Sequence, residues 1–498
     1  MKRAGETGEW LRRGLEIFEG LVERSLADIA RVSADPDPVW GHLEKVLREY
    51  AGGQGAAVRF ADVLKRLAEC RVVVVGGLST SWHGLDLVRR LVDRLPLVSL
   101  ALSGPSIAHQ ATLAAFLGGK MDVLDFAREV DLADAIPPHV GRLYLRLLER
   151  ARRSQAAVTL YESDAHSDIR GRDDDAMTVL DAALSGAGKG PLLVLTGELR
   201  ASPASLLGGL QRLVGAEHVA AVYCDLPGPY LRDILRGGEG RGWSALGNGR
   251  FCECRQSPLA SLQTCLAVRV HDEVPVRGDR LAEVVRNLVR RIARFVRAEA
   301  PRLPEIRVLG PGDPRTLSVA AASGRLDRDA LEFLAGRMAA GESRMIPEAN
   351  LLYVGNIAAG HVAEEAAHWL RALTGGADYC RYGEDAFWGV AVQELLGYYG
   401  SKVVSPGRRP PGVAELPANQ ENRGEALAHI YGYNLAERLF GLAGEREVTE
   451  WVSAAFLQDL VEPGTAKRLY LSGLDLVAGQ TRSRKRGRNL SAGGRKGR

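Results

Sequence analysis

The sequence predicts an α/β fold, with a mostly parallel sheet covered by helices on both faces. From about residue 57 to residue 275, short apolar runs alternate with helical patterns. The runs are almost continuously apolar, which is typical of parallel strands buried on both faces. After residue 275 the helical patterns continue while the strand pattern fades. We therefore expect an N-terminal helical arm before the α/β domain and an all-α C-terminal region after it.

The predicted strands follow one another with a helical pattern in most of the intervals. Strands are expected at residues 72–75, 98–102, 158–161, 192–195, 219–223 and 251–254. Helices are expected at residues 85–94, 107–116, 140–153, 174–184 and 204–214. In an open sheet of this kind, ligands bind at the carboxyl ends of the strands. Polar residues that directly follow a strand are therefore the first candidates for a site.

Composition and patterning divide the chain into four segments. Residues 1–56 form the predicted helical arm and residues 57–275 the α/β domain. Residues 276–480 form the helical region, which begins with a long helix and a linker rich in proline and glycine. Residues 481–498 form a tail rich in Arg, Lys, Gly and Ser, which is expected to be disordered because it has little apolar surface to bury.

The charge of the chain is concentrated in that tail. Of the formal net charge of +4, residues 481–498 contribute +8, so the rest of the chain carries −4. Such a tail favours a weak, salt-sensitive contact with nucleic acid or an anionic surface. No segment reaches the roughly 18 to 20 apolar residues that span a bilayer, and no apolar leader follows Met1. A cytoplasmic protein is the resulting expectation.

The first strand leads into the stretch on which the candidate site depends. Four valines, residues 72–75, run into Gly76-Gly77-Leu78-Ser79, and a helical pattern follows. This is not the G-x-G-x-x-G spacing of a dinucleotide-binding turn, and no acidic residue ends the next strand, at Leu102-Ser103. Nucleotide binding is therefore not favoured.

Several segments in this order resemble the ChaN-like domain of the haem-binding uptake and Tiki superfamily, which has erythromycin-esterase-like relatives. The resemblance covers about residues 60–272. It rests on Gly-Gly-Leu-Ser at 76–79, Leu-Ser-Gly-Pro at 102–105, Asp-Asp-Asp-Ala-Met at 173–177, Leu-Val-Leu-Thr-Gly-Glu-Leu-Arg at 193–200 and Leu-Gly-Asn-Gly-Arg-Phe-Cys-Glu-Cys-Arg-Gln-Ser-Pro-Leu at 246–259. It implies a small-molecule ligand, with haem or an iron-linked compound as the class.

The sequence departs from that family where the chemistry is expected. The family typically has Gly-Glu-x-His after the first strand, where this chain has Gly76-Gly77-Leu78-Ser79. A Glu usually ends the second strand, where Ser103 stands, and a Gly-x-x-His follows a later strand, where Gly197 and Arg200 stand. Glu and His would bind a metal or activate water. The resemblance therefore implies a ligand-binding pseudoenzyme without catalysis of its own.

The alternative is a hydrolase related to the erythromycin-esterase-like enzymes, with substituted site residues such as His83, Glu162 or His166. Arg200 offers a planar donor to a carboxylate or phosphate, although a salt bridge to Glu198 or Asp225 explains it equally well. The candidate ligand-binding residues are Gly77, Ser79, His83, Ser103, Glu162, His166, Glu198 and Arg200.

A second candidate site lies in the C-terminal region. His361, Glu364, Glu365 and His368 share one face of a predicted helix, because spacings of three and four residues bring side chains together. Of these, His361, Glu365 and His368 are the predicted metal ligands. Further ligands would come from neighbouring helices. The candidates are His429, Glu394 and Glu384. The alternative is an amphipathic helix with an ion pair between residues four apart.

Overall fold

The computed structural model describes residues 2–31, 55–77, 81–95, 99–165, 169–186, 190–197, 200–269, 273–297, 306–374, 384–410, 423–460 and 462–493. The chain divides into two compact units. The α/β unit comprises residues 8–279 and 311–318, and the helical unit comprises residues 1–7, 280–310 and 319–498. The predicted site residues Ser79, His166 and Glu198 lie outside the described residues.

The α/β unit is built on one eight-stranded sheet. Its strands are β1 (Ala56–Val58), β2 (Val72–Gly76), β3 (Ser99–Ser106), β4 (Val158–Glu162), β5 (Leu192–Thr196), β6 (Val219–Cys224), β7 (Gly242–Gly247) and β8 (Arg250–Cys254). Their order across the sheet is β1-β7-β8-β6-β2-β5-β3-β4. Strands β8, β6, β2, β5, β3 and β4 are parallel to their neighbours, while β7 and β1 add an antiparallel edge. The predicted α/β class and mostly parallel sheet are confirmed.

Helices connect these strands and cover the sheet. They are α1 (Lys2–Arg31), α2 (Phe60–Ala68), α3 (Trp82–Val92), α4 (Gln110–Leu117), α5 (Val123–Glu129), α6 (Leu132–Ala135), α7 (Pro138–Arg153), α8 (Ile169–Gly186), α9 (Leu206–Val214), α10 (Pro227–Leu235) and α11 (Pro258–Arg269). Residues 72–75 are completely buried at the centre of the sheet. Burial on both faces explains why β2 has no polar residue along its length.

The helical unit contains most of the remaining helices and a small sheet. The helices are α12 (Leu281–Phe295), α13 (Arg315–Ala322, whose first four residues belong to the α/β unit), α14 (Arg328–Ala339), α15 (Ala359–Thr374), α16 (Glu384–Val404), α17 (Arg423–Phe440), α18 (Arg446–Leu457) and α19 (Thr465–Gly493). The strands are β9 (Arg307–Leu309), β10 (Arg344–Ile346) and β11 (Leu351–Tyr353). Each of these strands has three residues, too few for a periodic pattern to be recognised in the sequence.

Residues 481–493 continue helix α19 to Gly493, in place of the disorder predicted for the tail, and residues 494–498 lie outside the described residues. Arg and Lys are good helix formers, and extending a helix that has already begun at Thr465 avoids the unfavourable nucleation step. Among the described residues, no helix combines the length and the apolar character needed to cross a membrane.

Candidate functional site

His83 lies at the centre of a polar cluster at the carboxyl ends of β2, β6 and β8. Ser81 caps helix α3, and its hydroxyl accepts a hydrogen bond from the backbone N–H of His83 at 3.2 Å. This cap places the imidazole in the first turn of α3, where it is buried. Its Nδ1 lies 2.9 Å from Asp225 Oδ2, and its Nε2 lies 2.9 Å from Glu253 Oε2. Both ring nitrogens are therefore engaged by carboxylates.

Helix α3 starts close to the end of β2. A Cβ added at Gly77 would make ordinary van der Waals contact with Gly84 Cα at 3.5 Å and Cys224 Sγ at 3.8 Å. The backbone N–H of Gly77 also donates to Thr196 O at 3.2 Å, which extends the pairing of β2 with β5. Gly77 thus belongs to the frame of the site rather than to a phosphate-binding turn.

Asp225 follows β6 in a left-handed backbone conformation, with φ at 56°. A non-glycine residue rarely adopts this conformation, which commonly occurs at turns and functional sites. Its Oδ1 accepts hydrogen bonds from the backbone N–H groups of Arg255 at 2.8 Å and Gln256 at 3.3 Å. Its Oδ2 also accepts from Ser261 Oγ at 2.9 Å. Together with the contact from His83, four hydrogen-bonding groups hold the Asp225 carboxylate in place.

Glu253 pairs with Arg90 as well as with His83. Arg90 Nη1 donates to Glu253 Oε1 at 2.9 Å, and Arg90 Nη2 donates to the other carboxylate oxygen. Burial opposes ionisation of Glu253, but the hydrogen bonds from His83 and Arg90 lower its pKa below the ordinary value. The carboxylate is therefore ionised at neutral pH.

The protonation of His83 follows from the two carboxylates. Burial disfavours the charged imidazolium, but Asp225 outweighs this effect and the pKa of His83 lies well above its ordinary value. Burial also raises the pKa of the neighbouring Cys224 thiol to about 11. At neutral pH the cluster therefore contains an imidazolium between two carboxylates, beside a protonated thiol.

A narrow cleft opens beside His83. It is lined by Ser81, Trp82, His83, Arg255, Gln256, Arg277 and Asp279, and its volume is about 10 Å³. Arg277 and Arg255 both contact the Asp279 carboxylate, at 2.8 Å and 3.1 Å. The Arg277 guanidinium also lies over the Trp82 ring, 6.0 Å from its centre. Two cations therefore surround one carboxylate at the cleft.

The remaining predicted strand-end residues form a separate cluster. Arg200 Nη1 donates to both oxygens of Glu162, at 2.8 Å and 2.9 Å, and Arg200 Nε donates to Asp173 at 2.6 Å. Its guanidinium lies over the ring of Tyr161, whose hydroxyl donates to Leu195 O at 2.6 Å. Burial raises the pKa of Tyr161, and the neighbouring Ser103 side chain lowers it slightly. The suggested pairing of Arg200 with Asp225 is wrong, because Asp225 is occupied by His83.

The described candidates thus divide into two groups. Gly77 and His83 lie at one cluster, and Ser103, Glu162 and Arg200 lie at the other. Sequence reasoning missed Glu253, although it lies in a predicted strand, and treated Asp225 only as a partner for Arg200. Asp225 lies two residues after the predicted strand 219–223. The expectation that polar residues after a strand form the site therefore applies to Asp225 as well.

The helical unit contains a third cluster, formed by Glu364, His368 and Glu394. One ligand atom of each residue lies within 4.8 Å of the other two. Of the predicted ligands His361, Glu365 and His368, only His368 belongs to this group. Glu364 and His368 are four positions apart, so their side chains lie on the same face of α15. Glu365 is rotated by about 100° around the helix axis from Glu364. The side chain of His361 is 43% exposed.

Comparison with protein-family models, with curated proteins and with solved structures finds no match. The ChaN-like assignment therefore stays a prediction from the residues quoted above.

The three clusters differ in what they can do chemically. The His83 and Arg200 clusters consist of charged groups that already neutralise one another. The Glu364 cluster brings two carboxylates and an imidazole together, which is a ligand set that suits a metal ion.

Proposed function

We propose that the α/β unit is a ligand-binding unit without catalysis of its own. The observation that carries this proposal is the engagement of both His83 ring nitrogens by Asp225 and Glu253. A general base needs a free lone pair directed at the proton it removes. An imidazolium held between two carboxylates has none, so His83 is better suited to fixing the strand ends than to activating water.

The ligand proposed for this unit carries a carboxylate or a phosphate. Arg255 and Arg277 keep 31% and 26% of their side chains exposed while both contact the Asp279 carboxylate. Arg255 also donates to Asp86, a carboxylate that Arg89 and Arg90 contact as well. Guanidinium groups present several planar donors, which match carboxylate and phosphate oxygens. Trp82 adds an aromatic face beside Arg277. An anionic group at this position would accept hydrogen bonds from the exposed parts of the two guanidinium groups.

Haem is the ligand class implied by the family resemblance, but the cleft beside His83 does not fit it. A volume of about 10 Å³ holds roughly one water molecule. Pockets that enclose a drug-sized ligand have volumes of roughly 300 Å³ or more. We therefore propose a smaller anionic ligand, whose charged group contacts Arg277 and Arg255 while the remainder lies outside the cleft.

Calorimetric titration of the full chain with citrate and with inorganic phosphate tests this proposal. The wild-type chain is expected to bind at least one probe, and Arg277→Gln should weaken binding about tenfold because a charged hydrogen-bond donor is lost. Arg280→Gln is the matched control, since Arg280 is exposed and close in sequence. Absence of binding by the wild-type chain, or equal affinity in Arg277→Gln, would contradict the proposal. A saturable haem Soret shift would restore haem as the ligand.

A hydrolase is the second candidate, favoured by the line of Asp225, His83 and Glu253 at the strand ends. It would require the His83–Glu253 contact to open, so that Nε2 could act as a base. Hydrolysis of p-nitrophenyl acetate by the wild-type chain and by His83→Gln distinguishes the two. We expect both to match the buffer background, whereas a rate that depends on His83 would favour the hydrolase.

One further proposal rests on the sequence alone. A weak contact of residues 481–498 with nucleic acid or an anionic surface is supported by the charge of +8 in that segment.

A further inference from the structure

The Glu364 cluster lies inside the helical unit and has no part in the function proposed above. Glu364 and His368 come from α15, and Glu394 comes from the neighbouring α16. Glu364 is 3% exposed and His368 is 6% exposed, while 12% of the Glu394 side chain is exposed. Carboxylates are rarely buried to this degree without a compensating cation.

One oxygen of Glu364 lacks such compensation within the protein. Arg408 Nη1 donates to Glu364 Oε2 at 2.9 Å. Glu364 Oε1 is buried and has no hydrogen-bond partner. Leaving a buried acceptor unsatisfied is unfavourable by about 1–3 kcal/mol, and by more when the group is charged. An additional cation beside Oε1 would remove this penalty.

Gly397 provides the space in which the imidazole lies against α16. A Cβ at this position would come within 2.4 Å of His368 Cε1 and 2.6 Å of His368 Nε2. Glycine in a helix interior is about 1 kcal/mol less favourable than alanine. Its presence one turn from Glu394 therefore has a packing reason, which is to admit the ring beside the two carboxylates.

The carboxylates are held in place by a second layer of charged groups. Arg408 binds Glu364, and His429 on α17 places its Nδ1 3.3 Å from Glu394 Oε2. Partners of this kind orient the ligands of metal sites.

We infer that Glu364, His368 and Glu394 bind one divalent transition-metal ion. An imidazole nitrogen with two carboxylate oxygens suits Zn²⁺ or Fe²⁺, whereas Ca²⁺ and Mg²⁺ prefer oxygen ligands alone. Three protein ligands would leave a coordination position for water, as in catalytic zinc sites, rather than closing the site as structural zinc sites do.

The distances allow this coordination after a small adjustment. Bonds of about 2.1 Å in tetrahedral geometry place neighbouring ligand atoms about 3.4 Å apart. The three ligand atoms lie within 4.8 Å of one another. Binding therefore requires the ligand atoms to approach one another by at most about 1.4 Å, which rotation about the Glu364 and Glu394 side-chain bonds can supply.

Equilibrium dialysis of the EDTA-treated full chain against Zn²⁺ tests the inference. The wild-type chain should bind one Zn²⁺, and Glu364→Gln and His368→Gln should each lower the affinity by about 100-fold or more. His218→Gln is the matched control, because it removes an exposed imidazole from the α/β unit, away from the cluster. Circular dichroism verifies that each variant retains its helices.

X-ray absorption of the zinc-loaded wild-type chain gives a result that does not depend on the folding of any variant. It should report imidazole and oxygen ligands and no sulfur. Failure of the wild-type chain to bind Zn²⁺, a sulfur ligand, or an equal loss of affinity in His218→Gln and folded Glu364→Gln would overturn the inference. These results would not bear on the function proposed for the α/β unit, because that proposal is tested with citrate and phosphate.

Discussion

His83 shows how one residue can connect three strand ends. Its ring lies between Asp225, which follows β6, and Glu253, which is part of β8. The attraction between these charges opposes the penalty of burying them, and an arrangement of this kind becomes strongly unfavourable when one partner is removed. His83 therefore couples the stability of the carboxyl ends of β2, β6 and β8 to the protonation of its imidazole.

The pH dependence of stability should change in His83→Gln. The pKa of His83 is raised in the folded state, so its stabilising effect is complete below the unfolded pKa of about 6.5. That effect is lost as the pH rises toward the folded pKa, by about 1.4 kcal/mol per pH unit. The difference in free energy of unfolding between wild type and His83→Gln should therefore be largest at pH 6 and decrease toward pH 9. Urea unfolding at several pH values measures it.

The groups that face His83 do not obscure this result. Glu253 is ionised above its lowered pKa, and Arg90 stays charged throughout. The Cys224 thiol, with a pKa of about 11, stays protonated up to pH 9. A constant difference between wild type and His83→Gln from pH 6 to pH 9 would show that the imidazole is not charged in the folded protein.

At the scale of elements, the central strands could be predicted because burial on both faces leaves apolar runs. The predicted strands at residues 72–75 and 192–195 correspond to β2 and β5. These two strands pair in parallel, beginning with Val72 opposite Leu192. Strand β1 has only three residues and is half-exposed, so it shows no such run. Edge strands of this kind are determined by their partner rather than by their own pattern.

The sites were less predictable than the elements because side-chain pairing depends on strand order. Glu162 and Arg200 were both expected at strand ends, but only the sheet order shows that β4 and β5 lie on the far side of β2 from β6. In the helical unit, four-residue spacing correctly indicated a shared face. The spacing did not show whether Glu364 or Glu365 lies beside His368 and Glu394, because that depends on which side of α15 packs against α16.

The contact between α16 and α17 gives a prediction on close helix packing. A Cβ at Gly432 would lie 2.5 Å from Ala391 O and 2.8 Å from Leu395 N, so Gly432→Ala should destabilise the protein by about 2 kcal/mol. Gly336 in α14 has nothing within 4 Å of its Cβ position, so Gly336→Ala should stabilise by about 0.5–1 kcal/mol. Thermal unfolding of both variants measures this. Stabilisation by both would show that α16 and α17 do not pack closely at Gly432.

At the scale of the whole molecule, each unit has its own kind of charged interior. The α/β unit buries an imidazolium between carboxylates that it supplies itself. The helical unit buries Glu364, whose Oε1 has no hydrogen-bond partner. Binding of a divalent ion should therefore stabilise the helical unit, which contains Glu364 Oε1.

Hydrogen exchange with and without Zn²⁺ tests that expectation on the full chain. A ligand that binds only the folded state stabilises it by about 2.7 kcal/mol at a free concentration 100 times Kd. Amide protection should rise in α15, α16 and α17, which hold or support the ligands, and stay unchanged in β2, β5 and β6. His368→Gln should abolish the increase, because the imidazole is the only nitrogen ligand in the set. An increase that persists in that variant, or that is confined to the sheet, would place the ion elsewhere in the chain.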